Sequence, residues 1–258
     1  MRVMVLGGAA VAAAVVAGGA IVAQADSTKA GAAAAPGGLG VENGSIERPA
    51  AAGASQVVKV SNHSDKALAI SVAARPWTQG SNGVASPNRR STLSDVGVDQ
   101  GSFTLAAGAS RDVNVTLKSV PSAGYQYGAL EVVGLPTDVA KRKGLITGYR
   151  IVGALRYTAA TPSYGVKVGS VKVKGGMVTL AVTNSGNTTE PISGTVRLKG
   201  PLGTRQASVQ GTRVLPGKSI SLALASAKKL TAGSYTATVN LKQRDFKVAT
   251  TKKLKIKR

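Results

Sequence analysis

From Gln56 to Ile256 the chain is a succession of short segments in which apolar and polar residues alternate, separated by Gly, Pro and Asn. Val58-Lys59-Val60-Ser61 and Val113-Asn114-Val115-Thr116-Leu117 show the period of two directly. That period sends successive side chains to opposite faces of a strand, leaving one face dry and the other wet. No long amphipathic helical pattern competes with it. Strands are expected over residues 56–62, 68–74, 93–98, 102–105, 111–117, 127–134 and 149–158 of the first half. The second half repeats the plan over 166–173, 177–184, 192–198, 206–210, 219–224, 233–241 and 248–256. The expectation is an all-β chain of two tandem immunoglobulin-like antiparallel β-sandwich domains, residues 42–162 and 163–258, with the boundary near residues 159–162.

Three features point to an internal duplication. Val58 to Ser64 and Leu180 to Gly186 each end an alternating strand in an Asn turn, at Asn62 and Asn184. Later in each half a Gly turn opens another alternating strand, at Gly108 and Gly217. Tyr235, two residues after Gly233 at a strand entrance, resembles the tyrosine corner of immunoglobulin-like sandwiches, whose hydroxyl bonds back to the backbone.

Residues 1–25 carry the three parts of a secretory signal: Arg2, an apolar run over residues 3–22, and Ala23-Gln24-Ala25 before Asp26. Cleavage is expected between Ala25 and Asp26. The run is also about as long as a bilayer-spanning helix, so an uncleaved anchor is the competing reading. Residues 26–41, rich in Ala, Gly and Pro, read as a flexible spacer. The chain has no Cys, so neither lipid attachment at Cys nor a disulfide is available, and each domain must rest on its own apolar core. No later apolar run reaches spanning length, and after cleavage no stable membrane span is expected. The expected location is secreted or in the cell envelope.

The formal net charge is +22, and it is uneven. Residues 163–258 hold 18 Lys and Arg against two acids, Glu190 and Asp245. Lys172 and Lys174, and Lys253, Lys255 and Lys257, alternate with other residues as outward positions on a strand do, and outward lysines also discourage unwanted strand pairing. Together with Lys252 they form a candidate surface for an anionic partner such as a cell-wall polymer. Nucleic acid is not the expected partner, because Tyr164, Tyr235 and Phe246 are the only aromatic residues of this half and offer little for stacking bases.

Enzymatic chemistry finds little support. His63 is the only His and lies in a turn; without Cys or a second His there is no thiol nucleophile and no His-based zinc site. Asp95 and Asp99 could at most hint at Ca²⁺. No catalytic residue, metal site or cofactor is expected. Asn62, Asn114 and Asn187 open triplets that fit glycosylation sequons.

Ile46-Glu47-Arg48-Pro49, followed by Gly53 to Asn62, resembles the opening of PapD-like immunoglobulin domains: a short strand carrying Arg, a Gly turn, and a strand ending in Asn. Ser71 to Trp77 is similar to the next strand, and the later strands follow in the right order to Pro162. In the periplasmic pilus chaperones of this family a basic pair anchors the terminal carboxylate of a subunit, which also receives a strand. The resemblance places Arg48 as the first of that pair. The last strand, around residues 151–156, has no Lys, and Arg150 and Arg156 are its nearest basic residues. The chain is also similar in plan to Gram-positive surface proteins that interact with WxL proteins. These have a signal, one domain associated with peptidoglycan and one facing a partner. Their plan ends in a membrane helix with a basic tail, and here the basic Thr250 to Arg258 follows no such helix.

Two functions follow. The first is an exported, non-enzymatic surface protein that binds a wall polymer or another surface protein. The alternative is a pilus-type chaperone for secreted surface subunits, acting by strand donation.

Overall fold

The computed structural model describes residues 4–6 and 38–257, apart from 142 and 145. Most of the apolar run, the cleavage point at Ala25 and Asp26, and the spacer up to residue 37 lie outside the described residues. The chain divides into two compact units, one of Met1–Trp77 and Pro87–Ala160, the other of Thr78–Ser86 and Thr161–Arg258. Thr78–Ser86, which the sequence reading assigns to the first domain, groups with the second unit. There the Gln79 side chain donates to the Arg213 carbonyl and accepts from the Leu215 N–H, both at 2.9 Å.

The strands are β1 (Met4–Leu6), β2 (Leu39–Glu42), β3 (Ile46–Pro49), β4 (Ser55–Asn62), β5 (Leu68–Gln79), β6 (Ala85–Pro87), β7 (Val96–Val98), β8 (Ser102–Leu105), β9 (Ser110–Leu117), β10 (Gln126–Pro136) and β11 (Thr147–Thr158). They continue with β12 (Val166–Lys174), β13 (Met177–Asn184), β14 (Ile192–Gly200), β15 (Gly203–Thr212), β16 (Ser219–Ser226), β17 (Gly233–Gln243) and β18 (Phe246–Ile256). Every strand expected from alternation is present. The additions are short: β2 begins inside the stretch read as spacer, and β1, β3 and β6 have too few residues to display a period.

In the first unit one sheet has the order β2-β4-β9-β7, and the other runs β1-β11-β10-β5 with β3 added to β11 and β8 to β5. Val58, Val60, Val113 and Val115 from the one sheet meet Ile70, Val72, Leu130, Val132 and Leu155 from the other in a dry core. The second unit packs β12-β13-β16 on β15-β14-β17-β18 around Val178, Leu180, Val182, Val196, Leu198, Ala237 and Val239. Each such Val, Leu or Ile side chain contributes about 1.5–3 kcal/mol by leaving water, and with no disulfide this burial carries the fold. Among the described residues no helix is long and apolar enough to cross a membrane.

The duplication signals are parts of one bonded device. In the first unit the buried Asn62 amide donates to the carbonyls of Lys66 at 2.8 Å and of Leu105 and Ala106 at 3.0 Å, while Gly108 N–H donates to the Asn62 carbonyl at 2.9 Å. In the second, Asn184 donates to the carbonyls of Thr188 at 2.6 Å and Val214 at 2.7 Å, and Gly217 N–H returns to the Asn184 carbonyl at 2.9 Å. The tyrosine corner is present as well, with the Tyr235 hydroxyl donating to the Thr231 carbonyl at 2.9 Å. Gly200 passes so close to that ring that a methyl group there would overlap it.

The opening strand of the first unit changes sheets. β2 pairs with β4, the chain turns at Asn43 in the left-handed region, and β3 then pairs in parallel with β11. The crossing backbone passes directly over Gly153, where any Cβ would overlap the Gly44 carbonyl oxygen. β12 makes no such change: it stays on β13 from Val166 to Lys174.

Candidate functional site

The candidate residues fall on three surfaces. The first is the free side of β11. β3 occupies one end of it, with Ile46 opposite Leu155 and Arg48 opposite Tyr157; β1 occupies the other, in parallel, with Met4 opposite Thr147. Ala154 N–H donates to Ser45 Oγ at 3.3 Å and the Thr158 carbonyl accepts from Ala50 at 2.8 Å, so the even-numbered backbone groups of β11 point to this side. In an antiparallel ladder alternate residues bond alternate neighbours. The N–H and C=O of Val152 therefore point to the middle of this edge, where no described strand pairs with β11, and its side chain is 37% exposed.

Arg48 lies at the end of the first core. Its guanidinium donates to the Ser55 carbonyl and, at 2.7 Å, to Gln56 Oε1, which ties β3 to the opposite sheet. Its register partner on the last strand is Tyr157, not a basic residue. Tyr157 is fully buried, and burial pushes its phenol above the ordinary value, with the Arg48 cation opposing. Arg48 Nε and the Tyr157 hydroxyl are both buried without a hydrogen-bond partner among the described residues. Arg150 and Arg156 do not join Arg48: each is held by an acid, Arg150 by Glu131 at 2.6 Å and Arg156 by Glu47 at 3.0 Å.

The second surface is one the sequence reading missed. Glu131 sits on β10 between apolar neighbours and is buried, and three arginines surround its carboxylate: Arg75 at 3.1 Å, Arg89 at 3.4 Å and Arg150 at 2.6 Å. Strand pairing places Glu131 opposite Val152 on β11 and Ala73 on β5, so the outward side chains of neighbouring positions converge on it. The only signal in the sequence is an acid inside the run Leu130-Glu131-Val132-Val133.

The third is a groove of about 730 Å³ between β12 and β18, the end strands of the two sheets in the second unit. Lys172, Lys253, Lys255 and Lys257 line it, as does Lys228, which sequence alone had not singled out. Lys174 and Lys252 are not among its lining residues; Lys252 is half-buried on the inward phase of β18. Residues 250–256 of the basic tail read from the sequence are the end of β18.

The remaining candidates are structural. Asp99 caps Asn114 with two hydrogen bonds of 2.9 Å, and Asp95 accepts from Ser119. They build no cation site: among the described residues no group of three or more acidic, His or Cys side chains could hold a metal. His63 is exposed in its turn, its N–H donating to the Gly38 carbonyl at 2.6 Å. Asn62 is fully buried and bonded, which removes it as a glycosylation acceptor.

No family model matches the chain, and no curated protein matches it. Solved structures do. A chain of a chaperone–tip adhesin complex of CFA/I fimbriae biogenesis is 11% identical with a TM-score of 0.53, over 83% of this chain and 98% of that one. The class 5 fimbriae chaperone CfaA is 13% identical over 83% and 98%, with a TM-score of 0.49. The complex of Salmonella enterica SafA pilin with the SafB chaperone is 12% identical over 84% and 95%, with a TM-score of 0.46. At these identities the likeness concerns the fold, and the first of the three carries it. The chain has the PapD-like immunoglobulin fold, in two successive β-sandwiches.

Proposed function

We propose that this protein is an exported, non-enzymatic binder of other exported proteins, acting as a chaperone by strand addition at the edge of β11. The observation that carries this reading is the edge itself: it takes β3 in parallel at one end and, at the other, β1, a segment that the cleavage would remove, and between them no described strand pairs with it around Val152. Main-chain bonds along such an edge give affinity, and alternate side chains give selectivity. The fold likeness supports this reading over attachment to a wall polymer, because the similar solved structures are of fimbrial chaperones and their complexes. The export signal, the cleavage between Ala25 and Asp26 and an extracytoplasmic location are parts of the same proposal. Arg48 contributes by tying β3 to β4 of the opposite sheet.

A photo-crosslinking residue at position 152 tests it in cells. Crosslinks to exported proteins, lost in a Val152→Pro variant that still folds, are expected, since proline removes the outward donor and is tolerated on an edge. Recovery of the protein with wall polymer alone, or crosslinks unchanged by the proline, would overturn it.

A further inference from the structure

The duplication makes each unit a template for the other. β10 and β11 correspond to β17 and β18: each pair closes one sheet, and each last strand carries an inward apolar, outward basic, inward apolar triplet. On β11 this is Leu155-Arg156-Tyr157, and on β18 it is Leu254-Lys255-Ile256. In the first unit the triplet is covered. β3 lies along it with Ile46 buried in the core and Glu47 outward, its carboxylate 3.0 Å from Arg156. In the second unit no described strand is hydrogen-bonded along the outer side of β18: β12 stays paired with β13 and packs against β18 without a ladder between them.

The groove occupies this place. Its floor is apolar, formed by Val171, Val173, Leu230, Leu254 and Ile256, and its rim is basic, with no acidic residue among those that line it. Val173 is 44% exposed, a β-branched side chain left half in water at the groove's edge. A polyanion held by charge alone needs neither an apolar floor nor a free strand edge. A second copy of this chain carries the same charge of +22, which opposes its approach.

We infer that the mouth of the second sandwich binds an extended segment of a partner protein in which apolar and acidic residues alternate, added to the edge of β18 as β3 is added to β11. Apolar side chains of that segment enter between β12 and β18 over Leu254 and Ile256. Its carboxylates lie beside Lys253, Lys255 and Lys257, as Glu47 lies beside Arg156. Charge brings the segment in and fixes its register, while the main-chain bonds and apolar contacts retain it. This site is separate from the β11 edge and stands or falls without it.

Fluorescence anisotropy of a labelled peptide alternating Glu with Ile or Val, titrated with the full chain, tests the inference. Saturable binding is expected, weakened at least about tenfold by the double substitution Lys253→Glu/Lys255→Glu and left unchanged by Lys174→Glu. Polyglutamate and phosphatidylglycerol vesicles serve as probes of charge without alternation, and both are expected to bind more weakly and to lose binding in moderate salt. Amide exchange along residues 246–256 should slow when the peptide is present. Equal binding of polyglutamate or of vesicles, equal loss with Lys174→Glu, or no peptide binding by the folded chain would each overturn it.

Discussion

Asn62 and Asn184 hold the same position in their two sandwiches: each is fully buried, and each bonds the turn that leads into the strand hydrogen-bonded beside it. The Asn side chain supplies two donors and an acceptor inside a space that water cannot fill, so it satisfies backbone groups that the strand ends leave open. Asn62→Ala and Asn184→Ala are each expected to destabilise the protein by about 2–4 kcal/mol, since several buried carbonyls lose their donor at once. Urea unfolding followed by Trp77 fluorescence reports the first substitution, and circular dichroism reports both. A midpoint unmoved by either change would show that the amide bonds are dispensable.

Gly153 admits the strand that changes sheets. An alanine there meets the Gly44 carbonyl, so Gly153→Ala should cost about 2–3 kcal/mol and loosen β3 from β11. Gly108 is the control. It has a φ of 72° with open space around it, and alanine there carries only the conformational penalty of about 1–2 kcal/mol. Amide exchange at Ile46 to Pro49 separates the two, because only Gly153→Ala should accelerate it.

Glu131 neutralises part of a cluster of three cations while itself buried, and Arg75 and Arg150 are well shielded beside it. Removing the carboxylate with Glu131→Gln leaves those guanidiniums facing one another and should destabilise the protein by about 3 kcal/mol. Arg89, 60% exposed, is expected to matter little: Arg89→Ala should change stability by less than about 1 kcal/mol. Chemical denaturation of both variants checks the ranking, and an equal effect of the two would contradict it.

The buried phenol of Tyr157 gives the fold an alkaline limit. Burial raises its folded pKa above the ordinary value of 10.0 despite the nearby Arg48 cation, so the folded chain keeps this proton after the unfolded chain has lost it. The contribution is therefore complete below the unfolded value and is lost as pH climbs toward the folded one. Stability measured from about pH 9 to pH 11 should fall less steeply in Tyr157→Phe than in the parent. Near neutral pH the same substitution should change stability by less than about 1 kcal/mol, because the hydroxyl has no partner to lose among the described residues.

Alternation, turn residues and the absence of Cys were enough to establish an all-β chain of two sandwiches, because strand periodicity is local and repeats along the chain. The paired motifs around Asn62 and Gly108, and Asn184 and Gly217, were legible for the same reason, though not that each Asn bonds the neighbourhood of its Gly turn. Tertiary structure decided what no local pattern encodes. Glu131 reads as one acid in an apolar run until strand pairing brings β5 and β11 alongside and turns it into the centre of an arginine cluster. Arg48 reads as a free cation until β3 is laid on β11, where its guanidinium bridges to the start of β4. The lysines of β18 read as a solvated face in either case. Only the failure of β12 to change sheets, where β2 and β3 do, leaves Lys253, Lys255 and Lys257 beside an open apolar edge. That difference follows from which strand pairs with which, and pairing is set by contacts between residues far apart in the sequence.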